Sequence, residues 1–346
     1  MITTSARTSY FIMAVLLILI GWLHMSTLVL TGLFGYFALN FLSFGRSKTL
    51  GVVLYVIAVV AIGYGLYYFT SQVYKTRALT EIAENTIPAV VNFAEKQGIE
   101  LPFTDYASLK SLALDEVKDR AANLGRYARE ATLQLAMLII GLVVSISLFL
   151  NAKWEAESDP DVVKGSVYST VVRELAQRFE TFYASFSRVI GAQIIISSIN
   201  TALTAVFLLW NGFPYSTVII VLTFLFGLLP IIGNILSNTL IVGVAFTIPD
   251  IGPRMALVAL IFLVLIHKLE YFLNSKIVGD RIKNPMWLTL IGLVIGEKLM
   301  GIPGMILAPV VLHYIKVEAS RKKADDVTST PPSSPAGGES PPKIQT

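Results

Sequence analysis

Apolar residues along this chain fall in long blocks, and two of those blocks are broken by glycine and proline. The stretch Leu288–Tyr314 is apolar at both ends and interrupted by Gly296, Glu297, Lys298, Gly301, Pro303 and Gly304. A straight helix of that length would run about 40 Å, past the roughly 30 Å hydrocarbon core of a bilayer, and either half alone is too short to cross. The pattern predicts two half-helices that dip into a membrane and return, with the polar break held inside protein. Tyr215–Ile248 repeats the design, broken at Gly227, Pro230, Gly233 and Asn234. Matched, interrupted segments of this kind point to the binding region of a secondary transporter.

The other blocks predict full spans. Tyr10–Phe44 carries no formal charge. As one helix it would be about 52 Å long, so it reads as a hairpin of two short spans turning near Gly21–Ser26. Further spans are predicted over Leu50–Phe69, Leu133–Leu150, Phe186–Trp210 and Arg254–Leu273. Residues 71–131 are polar and mixed in charge, with periodic Ile82, Val90 and Phe93 and interrupting Pro88 and Pro102, which suits extramembrane helix. In 151–182, Val171, Leu175, Phe179, Phe182 and Phe186 recur at helical spacing, leaving Arg173, Glu174, Arg178 and Glu180 on the remaining surface. That helix lies on the membrane or leads into the next span. After Glu318 the chain turns to Ser, Thr, Pro, Gly and charge, and Asp325–Thr346 reads as disordered.

Composition agrees with a polytopic membrane protein. The chain is 54% hydrophobic and 14% charged, with a formal net charge of +4 and no cysteine. Disulfides, thiol catalysis and thiolate metal sites are thereby excluded. The basic residues sit in short loops and the tail, which makes nucleic acid an unsuitable partner. The first apolar run has no small-residue cleavage site after it and reads as a retained span. Six full spans and two re-entrant pairs place Arg7, Arg46, Lys48, Lys153, Lys164, Lys276, Arg281, Lys283, Lys316 and Arg321–Lys323 on the cytoplasmic side, and two short spans in place of a re-entrant pair have the same parity. Span plus hairpin then occurs twice in opposite orientation, an inverted repeat.

Gly191-Ala192-Gln193, the break from Gly227 through Pro230, Gly233 and Asn234, and Gly296-Glu297-Lys298-Leu299-Met300-Gly301-Ile302-Pro303-Gly304-Met305 followed by Ala308-Pro309 resemble the AI-2E transporter family. The resemblance covers about residues 185–318 in detail and the N-terminal half in segment order. It implies a bacterial inner-membrane transport protein and homo-oligomer, with export of autoinducer-2 or sodium/proton antiport among the activities of such proteins. It supplies no agreed catalytic set. Glu297 and Lys298 depart from the small residues expected there, which puts the substrate in doubt.

The candidate site residues follow from membrane energetics. Backbone freed at a break needs protein or water partners, which explains Pro230, Gly233, Gly301 and Gly304 structurally. Functionally, the same half-helix ends offer dipoles to a solute or ion. Glu297 and Lys298 are the charges inside the broken segments, and an ionisable residue at membrane depth is a functional candidate. As sequence neighbours their side chains are expected to point apart, and the competing reading is simple solvation. Asn234 and Asn238 stand one turn apart. Gln193, Ser197, Asn200 and Thr204 share a helix face, with Thr201 nearby, and form either a polar path or interhelical hydrogen bonds. His267, Lys268 and Glu270 suit interfacial solvation, and His24 and His313 are placed near the membrane surfaces.

No HExxH, Gly-x-Ser-x-Gly or phosphate-loop pattern occurs, so no enzyme activity and no cofactor are expected. The expected architecture is an all-α polytopic membrane protein with both termini cytoplasmic. It divides into N-terminal spans (1–70), an external helical insertion (71–131), a fourth span with an amphipathic helix (132–185), a transport-type inverted repeat (186–318) and a tail (319–346). The expected function is secondary transport, in the efflux direction, of a small polar solute, with H+ or Na+ as candidate coupling ions and the lipid bilayer as surroundings. A Na+/H+ antiporter and a non-transporting scaffold are the alternatives.

Overall fold

The computed structural model describes residues 4–44, 47–99, 103, 105, 107–108, 110–111, 124–151, 166–229, 232–278 and 285–328. Among them every regular element is a helix. The helices are α1 (Thr4–Trp22), α2 (Ser26–Leu42), α3 (Lys48–Lys75), α4 (Ala78–Lys96), α5 (Leu124–Leu150), α6 (Val167–Trp210), α7 (Ser216–Gly227), α8 (Ile232–Ala245), α9 (Gly252–Val278) and α10 (Met286–Thr328). Six of them are long and apolar enough to cross a membrane, and α2, α7 and α8 are shorter apolar helices. Their lipid-type surface is extensive: Phe11, Val60, Ile139, Val206, Ile261 and Leu265 are all exposed. Such a surface is tolerated only in hydrocarbon.

The expected turn between α1 and α2 is present, with His24 at φ 54°. The amphipathic stretch and the fifth span are one continuous helix, α6, capped where Ser166 accepts from the Ser169 N–H at 3.1 Å. Arg178, expected on the solvated side of that helix, is buried. The C-terminal helix also continues past Glu318 to Thr328, so residues 325–328 are helical where disorder was expected. The rest of the predicted tail lies outside the described residues.

Both broken segments fold as helical hairpins. α7 and α8 have 12 and 14 residues, or about 18 and 21 Å, and pack on each other. A Cβ on Gly233 would stand 1.6 Å from the Phe226 carbonyl oxygen, so the turn admits glycine alone. In α10 the helix breaks at Gly301, with φ 63° and ψ −148°. A Cβ on Gly296 would come within 2.5 Å of the Gly304 oxygen, and one on Gly304 within 2.0 Å of the Gly296 oxygen. The two arms of α10 therefore run backbone against backbone on either side of Gly301.

Packing divides the bundle in a way that chain order does not. α2 packs chiefly on α5 and α3, whereas α1 packs chiefly on α6. Small residues allow the first contact: Gly141 lies against the Leu28 carbonyl, and Gly35 against Ser145 and Tyr55, whose hydroxyls are 3.2 Å apart. α4 touches both α3 and α8. It reaches the open end of the first hairpin through Asn85, which donates to the Tyr215 hydroxyl at 3.3 Å, and through Phe93 against Phe246. A cavity of about 790 Å³ at that end gathers Asn85, Gly212, Tyr215, Phe246, Asp250 and Gly252. The end of α6, both ends of the hairpin and the start of α9 thus meet at one end of the bundle. The second hairpin opens at the other end, where Glu318 meets Tyr10. The two helix-plus-hairpin units run in opposite directions.

Candidate functional site

One face of α6 carries both hairpins in sequence. Phe182, Phe186 and Ile190 pack with Met13 of α1 and with Val310 and Tyr314 of α10. Further along, Gln193 and Ser197 face the end of α7. A helix end inside a membrane protein leaves carbonyls without intrahelical partners. Here Gln193 Nε2 donates to the Gly227 carbonyl at 2.6 Å, and Ser197 Oγ to the Phe224 carbonyl at 3.0 Å. The predicted polar stripe therefore caps the broken helix, and at Gln193 and Ser197 the interhelical hydrogen-bond reading holds.

Across the break, Asn234 lies in the first turn of α8. Its side-chain amide donates to both carboxylate oxygens of Glu270 on α9, at 3.0 and 2.8 Å. The Glu270 side chain is 14% exposed, and His267 Nδ1 approaches it at 3.8 Å from the solvent side. Glu270 is thus held inside the bundle, where interfacial solvation had been the expectation for it. His267 and Lys268 are exposed, in keeping with that expectation.

Asn200 reaches the same level by register. Phe207 of α6 stacks on Phe262 of α9 with ring centroids 4.1 Å apart. The two helices are antiparallel, so two turns back on α6 and two turns forward on α9 bring Asn200 level with Glu270. Ser197 against Gly227 likewise places Asn200 about level with Thr223 of α7. Asn200 Oδ1 and Thr223 Oγ1 are both buried without a hydrogen-bond partner. Buried polar atoms of this kind are rare in folded proteins. The region therefore combines an ionisable carboxylate, an amide that fixes it, two unpartnered oxygens and a half-helix start whose dipole is positive. It offers acceptors to a hydroxyl-bearing solute or a cation. No group of three or more His, Asp or Glu suited to a metal ion occurs among the described residues.

The other predicted site residues are placed differently. Asn238 is half-buried one turn beyond Asn234, and Gly233 is buried in the turn. Pro230 lies outside the described residues. Gly301 and Gly304 form the second turn, whose Met300 side chain lies against Gly21 of α1. Glu297 and Lys298 are exposed near that turn, and Lys298 Nζ approaches Glu297 Oε2 at 3.9 Å. Their side chains thus bend toward each other where they had been expected to diverge, and neither touches the Asn234–Glu270 pair. His313, expected at a membrane surface, is buried, with both ring nitrogens unpartnered.

A family model described as AI-2E family transporter matches residues 9–320, which takes in both hairpins and nearly the whole chain. The chain belongs to the AI-2E transporter family. A Bacillus subtilis (strain 168) relative named "Putative transport protein YdbI" is 26% identical over 190 residues, 54% of this chain. That match spans 53% of the relative, about half its length. No solved structure matches the chain. As an AI-2E family protein with six long apolar helices, it is a multi-pass membrane protein of a transporter family.

Proposed function

We propose that this AI-2E family member is a secondary transporter that exports a small polar organic solute, autoinducer-2 or a compound like it, by alternating access. The observation that carries the reading is the Asn234–Glu270 pair at the first break, level with the unpartnered oxygens of Asn200 and Thr223. A break in a spanning segment is costly unless its polar groups are used, and this one supplies directed acceptors beside a carboxylate. In this reading the two hairpins re-enter an inner membrane from opposite sides. The end holding Tyr10 and Glu318 is cytoplasmic, which keeps the short basic loops there. The protein works as a homo-oligomer, with contacts from α3, whose outer half is exposed along most of its length.

Purified protein in liposomes, loaded with autoinducer-2, tests the proposal. Release that depends on the protein and is lost in Asn234→Leu supports it. The carboxylate also gives the sodium/proton antiport reading a better-held residue than Glu297. Sodium-dependent pH change without solute release, lost in Glu270→Gln and kept in Glu297→Gln, would replace solute export with ion exchange.

A further inference from the structure

The cavity of about 790 Å³, at the end of the bundle away from Tyr10 and Glu318, takes no part in the solute site. Apolar layers separate the two. On α7, Ile219 stands between Tyr215 of the cavity and Thr223. On α8, Ile241 and Val244 stand between Asn234 and Phe246. All three are fully buried. The cavity is walled instead by α4, by the α6–α7 connection and by the α8–α9 connection. Its volume falls within the roughly 300–1,000 Å³ of small-molecule sites.

The walls are fixed in shape. Pro214, Pro249 and Pro253 restrict the backbone at three points of the lining. Gly212, Tyr215 and Asp250 have positive φ, at 62°, 57° and 64°. Left-handed backbone is costly for a tyrosine or an aspartate, and such strain gathers at functional sites. Tyr215 is tied to α4, where its hydroxyl accepts from Asn85 Nδ2 at 3.3 Å. That bond leaves Asn85 Oδ1 free to accept.

Asp250 is the one charged residue that lines the cavity among the described residues. It is exposed and pairs with none of them, the first amides of α9 included. Arg254, next after Pro253, is not part of the lining. Thr247 Oγ1 donates to the Val244 carbonyl at 2.7 Å and keeps its lone pairs. The lining therefore accepts hydrogen bonds and carries negative charge, beside the rings of Tyr215 and Phe246. An anion finds no cationic partner there. A calcium ion needs six to eight oxygen ligands and finds one carboxylate. An ammonium group matches the set, with three donors for oxygen acceptors and a charge that aromatic faces attract.

We propose that this cavity binds a small organic ammonium compound, with Asp250 as its ion partner and Tyr215 and Phe246 as its aromatic wall. Asn85 and Thr247 supply further acceptors. An occupant joins α4 to the open end of the first hairpin. The site stands apart from the solute site and does not rest on the transport reading.

Calorimetric titration of the purified full chain with benzylamine tests the site, with benzyl alcohol and benzoate as neutral and anionic probes of the same shape. The expected result is saturable binding of benzylamine and no comparable binding of the other two. Asp250→Asn should weaken benzylamine binding about five-fold or more. Asparagine tolerates left-handed backbone, so that variant keeps the loop. Benzyl alcohol bound as well as benzylamine, equal benzylamine affinity in both proteins, or no saturable benzylamine binding overturns the proposal.

Discussion

Gly233 and Asn234 stand side by side at the first break and do different things. Gly233 has no room for a side chain, since a Cβ would overlap the Phe226 carbonyl. Gly233→Ala is expected to cost about 1–3 kcal/mol or more through forced backbone shifts, read as a lower midpoint of thermal unfolding in detergent. Gly65 of α3, with nothing within 4 Å of its would-be Cβ, is the control, and Gly65→Ala should leave that midpoint unchanged or raise it. Asn234 orients a carboxylate. Losing hydrogen bonds to a charged group costs about 1.5–3 kcal/mol, so Asn234→Leu should lower flux about ten- to hundred-fold. Asn234 and Gly233 were legible in the sequence because a break inside an apolar block leaves few residues to choose from. Glu270 was not. A charge near the end of an apolar run looks the same whether it snorkels or turns inward, and its partner lies 36 residues upstream.

At the scale of elements, hairpin geometry depends on single turns. Gly301 occupies a backbone region open essentially to glycine, and Gly301→Ala should cost about 1–3 kcal/mol. Its thermal midpoint should fall, while that of Gly63→Ala should not, since Gly63 lies in regular helix and, like Gly301, faces open space. That each broken block bends back on itself was legible from length arithmetic, because one straight helix over either block would overrun the hydrocarbon core. The continuity of α6 was less so. Its lower half carries Arg173, Glu174, Arg178 and Glu180 and reads as a surface helix. What turns Arg178 inward is the arrival of Tyr10 and Glu318 from the two ends of the chain, a tertiary fact without a local signature.

For the whole molecule, the cluster of Tyr10, Arg178 and Glu318 matters because it sets which helices belong together. α1 is first in the chain, yet it packs on α6 and shares a buried ion network with α10, while α2 packs most heavily on α5 and also reaches α6 and α10 through Phe34 and Phe37. Removing one partner of a buried pair leaves the others uncompensated, so Arg178→Ala should destabilise the protein by about 3–5 kcal/mol. Unfolding in denaturant would read that loss directly. Autoinducer-2 flux in liposomes containing this protein alone, unsubstituted and as Asn234→Leu, bears most directly on the central claim. The account predicts protein-dependent release that falls at least about ten-fold in the variant. Equal release by both proteins would contradict a transport site at the first break.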